Sequence, residues 1–116
     1  MGSQVLRKEG IGDGTTFSPT EATGTVAITV KNSFTVIDLV TTKATGNRTI
    51  NLTVDANVRK GDTILVQMKT NDTETHTFGT GFTVPTVTGV AGKTKNQLCV
   101  YNGSSFTAVA AAVQID

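Results

Sequence analysis

The stretch Gly24-Thr25-Val26-Ala27-Ile28-Thr29-Val30 sets large apolar side chains at every second position. Val26, Ile28 and Val30 share one face, which is the two-residue period of a half-buried β-strand. The same pattern recurs on the C-terminal side. Arg48 to Asp55 puts Ile50, Leu52 and Val54 on one face and Asn51, Thr53 and Asp55 on the other. Thr63 to Lys69 repeats it with Ile64, Val66 and Met68. Phe34 to Val40 is apolar on both faces apart from Asp38, as in a central or bulged strand.

Turn-forming residues punctuate these runs at Lys31-Asn32-Ser33, Thr45-Gly46-Asn47 and Arg59-Lys60-Gly61-Asp62. Two shorter runs, around Thr75 to Phe78 and at Phe82-Thr83-Val84, are separated by Gly79 and Gly81. Pro85 cannot donate to a ladder, so the second of these belongs at an edge or a corner. Gln97 to Tyr101 and Phe106 to Val113 flank Asn102-Gly103-Ser104-Ser105, a hairpin with Asn-Gly at its tip. No run has a 3.6-residue period. Phe34-Thr35-Val36, Phe82-Thr83-Val84 and Phe106-Thr107-Ala108 look alike at unequal spacings, which reads as similar strands and not a repeat array. The spacing predicts an all-β chain with about eight short antiparallel strands in a single β-sandwich or barrel. That domain spans 24–116. Residues 1–23, polar, rich in Gly and Thr and containing Pro19, read as an extended N-terminal arm.

Composition agrees. The 116 residues suit one domain, and 23 threonines, 14 valines and 6 isoleucines against 5 leucines exclude a helical bundle. Ten basic and nine acidic residues leave a net charge of +1, which gives no footprint for nucleic acid or an anionic membrane. No segment has the roughly 18 apolar residues of a membrane span. Met1 to Glu9 lacks the apolar stretch of a signal peptide, so the sequons at Asn47, Asn51, Asn71 and Asn102 carry little weight.

The chemistry-bearing residues are sparse. Cys99 is the one cysteine and cannot form an intrachain disulfide; in its apolar run it reads as a small buried or interfacial hydrophobe. His76, the one histidine, alternates with threonines and reads as a surface or edge-strand residue. A zinc site needs three or four ligands, and this pair falls short. Asn71-Asp72-Thr73-Glu74 offers oxygens without the spacing of a calcium loop. Gly10-Ile11-Gly12-Asp13-Gly14 lacks the lysine and helix of a phosphate-binding loop. No catalytic set, metal or cofactor is expected, and a small-molecule ligand is not.

The C-terminal strand is apolar on both faces. Phe106, Ala108, Ala110 and Ala112 alternate with Val109, Ala111, Val113 and Ile115. Such a terminal strand is either central in its sheet or has its second face covered by another copy of the chain, and the second arrangement is the expected one. Phe106, Val109, Ala111, Val113 and Ile115 are therefore the expected oligomer interface. The apolar residues of the arm, Val5, Leu6, Ile11 and Phe17, are its expected contacts with a partner surface, because ordering a polar arm costs entropy that a partner must offset.

Gln97-Leu98-Cys99-Val100-Tyr101-Asn102-Gly103-Ser104-Ser105-Phe106, following an arm and a Thr/Val/Gly-rich body, resembles the closing hairpin of small structural proteins of tailed bacteriophages. These include capsid decoration (cement) proteins and head- or tail-fibre modules. Phe106 stands where that hairpin frequently has Trp. The resemblance implies a jelly-roll-like sandwich and a homotrimer seated on the major capsid protein or another virion protein, at the surface of the phage particle. A carbohydrate- or receptor-binding module is the alternative; it would stack sugars on exposed rings, in a chain with no Trp, one Tyr and five Phe.

Overall fold

The computed structural model describes residues 14–116, and Val5, Leu6 and Ile11 lie outside them. The described chain is all-β, with no helix and eleven strands in two sheets. They are β1 (Gly14–Phe17), β2 (Gly24–Val30), β3 (Phe34–Ala44), β4 (Arg48–Val54), β5 (Thr63–Thr70) and β6 (Thr75–Phe78). After these come β7 (Phe82–Thr83), β8 (Val87–Thr88), β9 (Thr94–Tyr101), β10 (Phe106–Ala108) and β11 (Val113–Gln114).

From β1 to β9 successive strands alternate between the sheets. One sheet, here sheet A, has the order β1-β3-β5-β9-β10-β7 with β11 also on β9; sheet B has the order β2-β4-β6-β8. From β1 to β6 each strand thus pairs with the one two places along the chain, except that β5 meets β9 in place of β7, which lies parallel to β10. Gly14–Phe17 lies parallel to Phe34–Ile37, and Phe34–Leu39 parallel to Thr63–Met68. Gly24–Val30 lies parallel to Arg48–Val54, and Arg48–Ile50 parallel to His76–Phe78. This is a stack of three parallel coils, β1-β2, β3-β4 and β5-β6, flattened so that its two sheets face each other. Antiparallel β8, β9, β10 and β11 finish the C-terminal end.

The expected antiparallel jelly-roll is corrected by these registers. Alternation has the same period in parallel and antiparallel strands, so it cannot report direction. The short connections, expected to fold each strand back on its predecessor, instead turn corners from one sheet to the other. The corners are stacked by hydrogen bonds. Thr45 N donates to Ala22 O at 2.9 Å, and Asn71 N donates to Ala44 O at 2.9 Å. Asn47 joins all three coils: its carbonyl accepts from Gly24 N at 3.0 Å and its Oδ1 from Thr75 N at 3.0 Å. The expected boundary between residues 23 and 24 also moves. Residues 14–23 form the first side and corner of the stack, so the body begins no later than Gly14.

In a parallel stack, inward residues lie above one another. Val26, Ile50 and Phe78 form one such ladder in sheet B, and Phe17, Ile37 and Val66 form another in sheet A. Between the sheets Val26, Val30, Ile37, Leu39, Ile50, Ile64, Val66, Cys99 and Phe106 are fully buried. Phe82 bridges two rings at the C-terminal end, lying 4.9 Å from Phe78 and 6.4 Å from Phe106 between centroids. These edge-to-face contacts add to the area term. Gly81 is required here: its φ is +88°, and a Cβ would sit 2.8 Å from Leu52 Cβ.

β3 is bulged, one of the two options its apolar pattern left open. Leu39 faces Met68 and the next partners are Ala44 and Thr70, so β3 carries extra residues at that point. Asp38 organises the excess. Its Oδ1 accepts from Val40 N at 2.9 Å and Thr41 N at 3.1 Å; its Oδ2 accepts from Thr41 Oγ1 at 2.7 Å and Ser18 Oγ at 3.0 Å.

Candidate interaction surface

The hairpin around Asn102 forms as its sequence predicts. β9 and β10 pair antiparallel with Tyr101 opposite Phe106. Asn102 N donates to Ser105 O at 3.0 Å, and Asn102 Oδ1 accepts from Ser104 N and Ser105 N at 2.8 and 2.9 Å. Gly103, at φ +103°, completes the turn. The following strand does not run to Val113 unbroken. β10 ends at Ala108, Val109 N still donates to Leu98 O at 3.0 Å, residues 110–112 leave the ladder, and β11 rejoins β9 with Val113 opposite Asn96. Buried Gln97 holds the excursion by donating Nε2 to Ala110 O at 2.8 Å and to Leu98 O at 3.1 Å.

This break divides the expected interface residues. Phe106 is fully buried and packs on Tyr101 with centroids 4.9 Å apart, so it belongs to the core and not to an interface. Its parity explains this: Phe106 faces inward beside Cys99, while Val109, Ala111, Val113 and Ile115 are exposed. Val109, Val113 and Ile115 are 56%, 59% and 54% exposed, and Leu98 on β9 is 41% exposed. Leu65 on β5 stands opposite Leu98 across the ladder. Leu65, Leu98, Val109, Ala111, Val113 and Ile115 line one shallow hollow of about 240 Å3 with no charged side chain in it. These side chains form an apolar patch on the outer face of sheet A, with Asn96 also lining it and Gln67 and Lys69 following Leu65 outward along β5. Leu65 and Leu98 were legible as outward residues of alternating strands, but nothing local shows that β5 and β9 are neighbours.

Phe17 does not lie on a free arm. It pairs in register with Ile37 and packs half-buried against the core.

The two nucleophile or base candidates are on different sheets. Cys99 is buried on β9, and burial pushes its thiol up to about 12, which leaves it inert at neutral pH. His76 is corrected from surface to interior: β6 is flanked by β4 and β8, and His76 is fully buried. Its Nε2 accepts from Arg48 Nε at 3.0 Å, and its Nδ1 has no hydrogen-bond partner among the described residues. Neither ring nitrogen engages Cys99. Burial, then the Arg48 charge, lower the His76 pKa to about 4, so the ring is neutral at pH 7. Arg48 is itself buried, and its Nη atoms donate to the carbonyls of Glu21 (2.9 Å), Thr42 (2.8 Å) and Leu39 (3.0 Å). The pair ties the three coils together, and its burial keeps the unpartnered Nδ1 out of reach of solvent.

Among the described residues no three His, Cys, Asp or Glu side chains converge on a metal position. In the Asn71–Glu74 loop, Glu74 Oε1 accepts from Asp72 N at 2.7 Å. The other hollows each hold one ionisable side chain, respectively Lys95, Lys31 and Glu21. Comparison of the chain with protein-family models, with curated proteins and with solved structures returns no match.

Proposed function

We propose that this protein is a non-enzymatic structural component of a phage particle, acting as a homotrimeric decoration protein on the head. The observation that carries the assembling role is the apolar outer face of sheet A. Among the described residues four of the six exposed large apolar side chains, Leu98, Val109, Val113 and Ile115, gather there. Such a patch on a small β-protein marks a surface that another surface covers. The resemblance of the 97–106 hairpin to the decoration and fibre domains of tailed phages supplies the setting. The sparse ionisable groups in these four hollows fit a protein whose work is done by contact area. The glycan-binding alternative has one exposed ring to draw on among the described residues, Phe34 at 38%, because Phe78, Phe82 and Phe106 are buried and Phe17 and Tyr101 pack against the core.

The test is native mass measurement joined to cosedimentation with capsid shells of the virus that encodes the chain. The expected result is a trimer that binds shells, with both properties lost in Val113→Lys. A wild-type monomer at tens of micromolar that ignores the shells overturns the reading.

A further inference from the structure

The N-terminal end of the stack differs from its C-terminal end. Among the described residues β1 has one neighbour, β3, and β2 has one neighbour, β4, so the first coil presents two open strand edges side by side. Between them the core is incompletely covered at half-buried Phe17, while the inward Val26, Ile28 and Val30 of β2 are buried. Hollows of about 420 and 340 Å3 lie there, with Phe17 lining both and Ile28 and Thr35 lining one each. Thr35 is 1% exposed, and its hydroxyl has no hydrogen-bond partner among the described residues. Natural edge strands are blunted by charge, proline, a bulge or shortness. β2 has none of these: Gly24-Thr25-Val26-Ala27-Ile28-Thr29-Val30 is seven residues long, uncharged and paired in unbroken register with β4.

We infer that this end is a docking surface for the same end of a second copy of the chain, joined edge to edge about a two-fold axis. The argument for a second copy is complementarity. A partner must offer two strand edges with the spacing of the two sheets and an incompletely covered core between them, and the first coil of another molecule does so. The C-terminal end does not, because its outermost strands, β7 and β8, are two residues each. Charge selects the antiparallel arrangement. Glu21 precedes β2 and Lys31 follows it, so a two-fold axis brings unlike charges together at both ends of the new ladder. Parallel pairing would set like charges side by side. An axis through Ala27 places Thr25 opposite Thr29 of the other molecule and Val26 opposite Ile28, with no charge on the outer face. Both sheets then continue through the interface, and the core closes over Phe17. This surface is separate from the apolar face of sheet A and does not rest on the phage assignment.

The experiment places one cysteine on the axis. Ala27 is exposed, and residues facing each other across an antiparallel ladder have Cα atoms about 4.5–5.5 Å apart, within disulfide range. On mild oxidation Ala27→Cys is expected to give a covalent dimer of twice the 12.1 kDa chain mass. The wild type serves as control, because buried Cys99 does not cross-link. Ala27→Lys sets two charges against each other and is expected to weaken the non-covalent dimer tenfold or more. Measuring mass also in a Val113→Lys background separates the two surfaces, since edge pairing survives there. Folding is checked by circular dichroism. A folded Ala27→Cys that stays monomeric on oxidation overturns the inference. So does a dimer that persists in Ala27→Lys and dissociates in Val113→Lys.

Discussion

Arg48 Nε donates a hydrogen bond to His76 Nε2 across 3.0 Å, with both side chains out of contact with water. A neutral histidine is the only form that can accept this bond. Protonation would set a second cation against the guanidinium in a medium that solvates neither.

Acid should therefore destabilise the fold in a defined window. His76 titrates near 4 when folded, below its ordinary 6.5, so the unfolded chain binds the extra proton first. The stability it contributes is complete above pH 6.5 and is lost as pH falls towards 4. The shift corresponds to about 3 kcal/mol. Urea midpoints measured from pH 7 to 4 should fall steeply in the wild type and much less in His76→Gln, whose amide oxygen can still accept from Arg48. Equal slopes in the two proteins would remove His76 as the cause.

Arg48→Lys should fail as a conservative change. The guanidinium reaches His76 and the carbonyls of Glu21, Thr42 and Leu39. A lysine has three donors on one nitrogen and cannot span that set, so buried acceptors on different coils lose their partners. The expected loss is at least ~2 kcal/mol, read as a lower urea midpoint. A loss under ~0.5 kcal/mol would mean that the four bonds do not hold the coils together.

Phe106 and Val113 should separate folding from assembly. Phe106→Ala empties a fully buried position and should cost about 3–5 kcal/mol. Val113 is 59% exposed, so Val113→Lys should change monomer stability by less than ~0.5 kcal/mol while breaking lateral association. Thermal melts of dilute samples beside native masses of concentrated ones distinguish the two. A Phe106→Ala protein that melts like the wild type but no longer assembles would return Phe106 to the interface.

The strands themselves were open to reading from alternation, because an inward side chain every second residue is a local property. β2, β4 and β5 lie where Val26, Ile50 and Ile64 announce them. Alternation also places Arg48 inward with Ile50 and Leu52, and His76 inward with Phe78; their polarity argued for the surface and misplaced His76. What satisfies the pair comes from Glu21, Leu39 and Thr42, which only coil stacking brings near. Stacking had no local signature, since the coils are unequal: Gly14 pairs with Phe34 and Phe34 with Thr63, 20 and 29 residues apart. The outward parity of Val109, Ala111, Val113 and Ile115 could be read directly. Their continuity with Leu98 and Leu65 depended on sheet order.

Asp38 shows how one coil is longer than the next without loss of register. Its carboxylate accepts from Thr41 Oγ1, Val40 N, Thr41 N and Ser18 Oγ, and these bonds lower its pKa to about 2. Two of the donors are backbone N–H groups that the bulge takes off the ladder, and one belongs to the corner of the first coil. Asp38→Ala should cost about 1–2 kcal/mol, the usual effect of removing a side-chain acceptor from such groups. The sign of its pH dependence follows from the lowered pKa. Folded Asp38 gives up its proton more readily than the unfolded chain, so its contribution is present above 3.8 and disappears as pH falls through 2. That window lies below the one assigned to His76. In a His76→Gln background, the acid loss that remains below pH 4 should shrink further when Asp38 is replaced by Ala. An unchanged profile there would show that carboxylates elsewhere, and not the bulge, govern the low-pH limb.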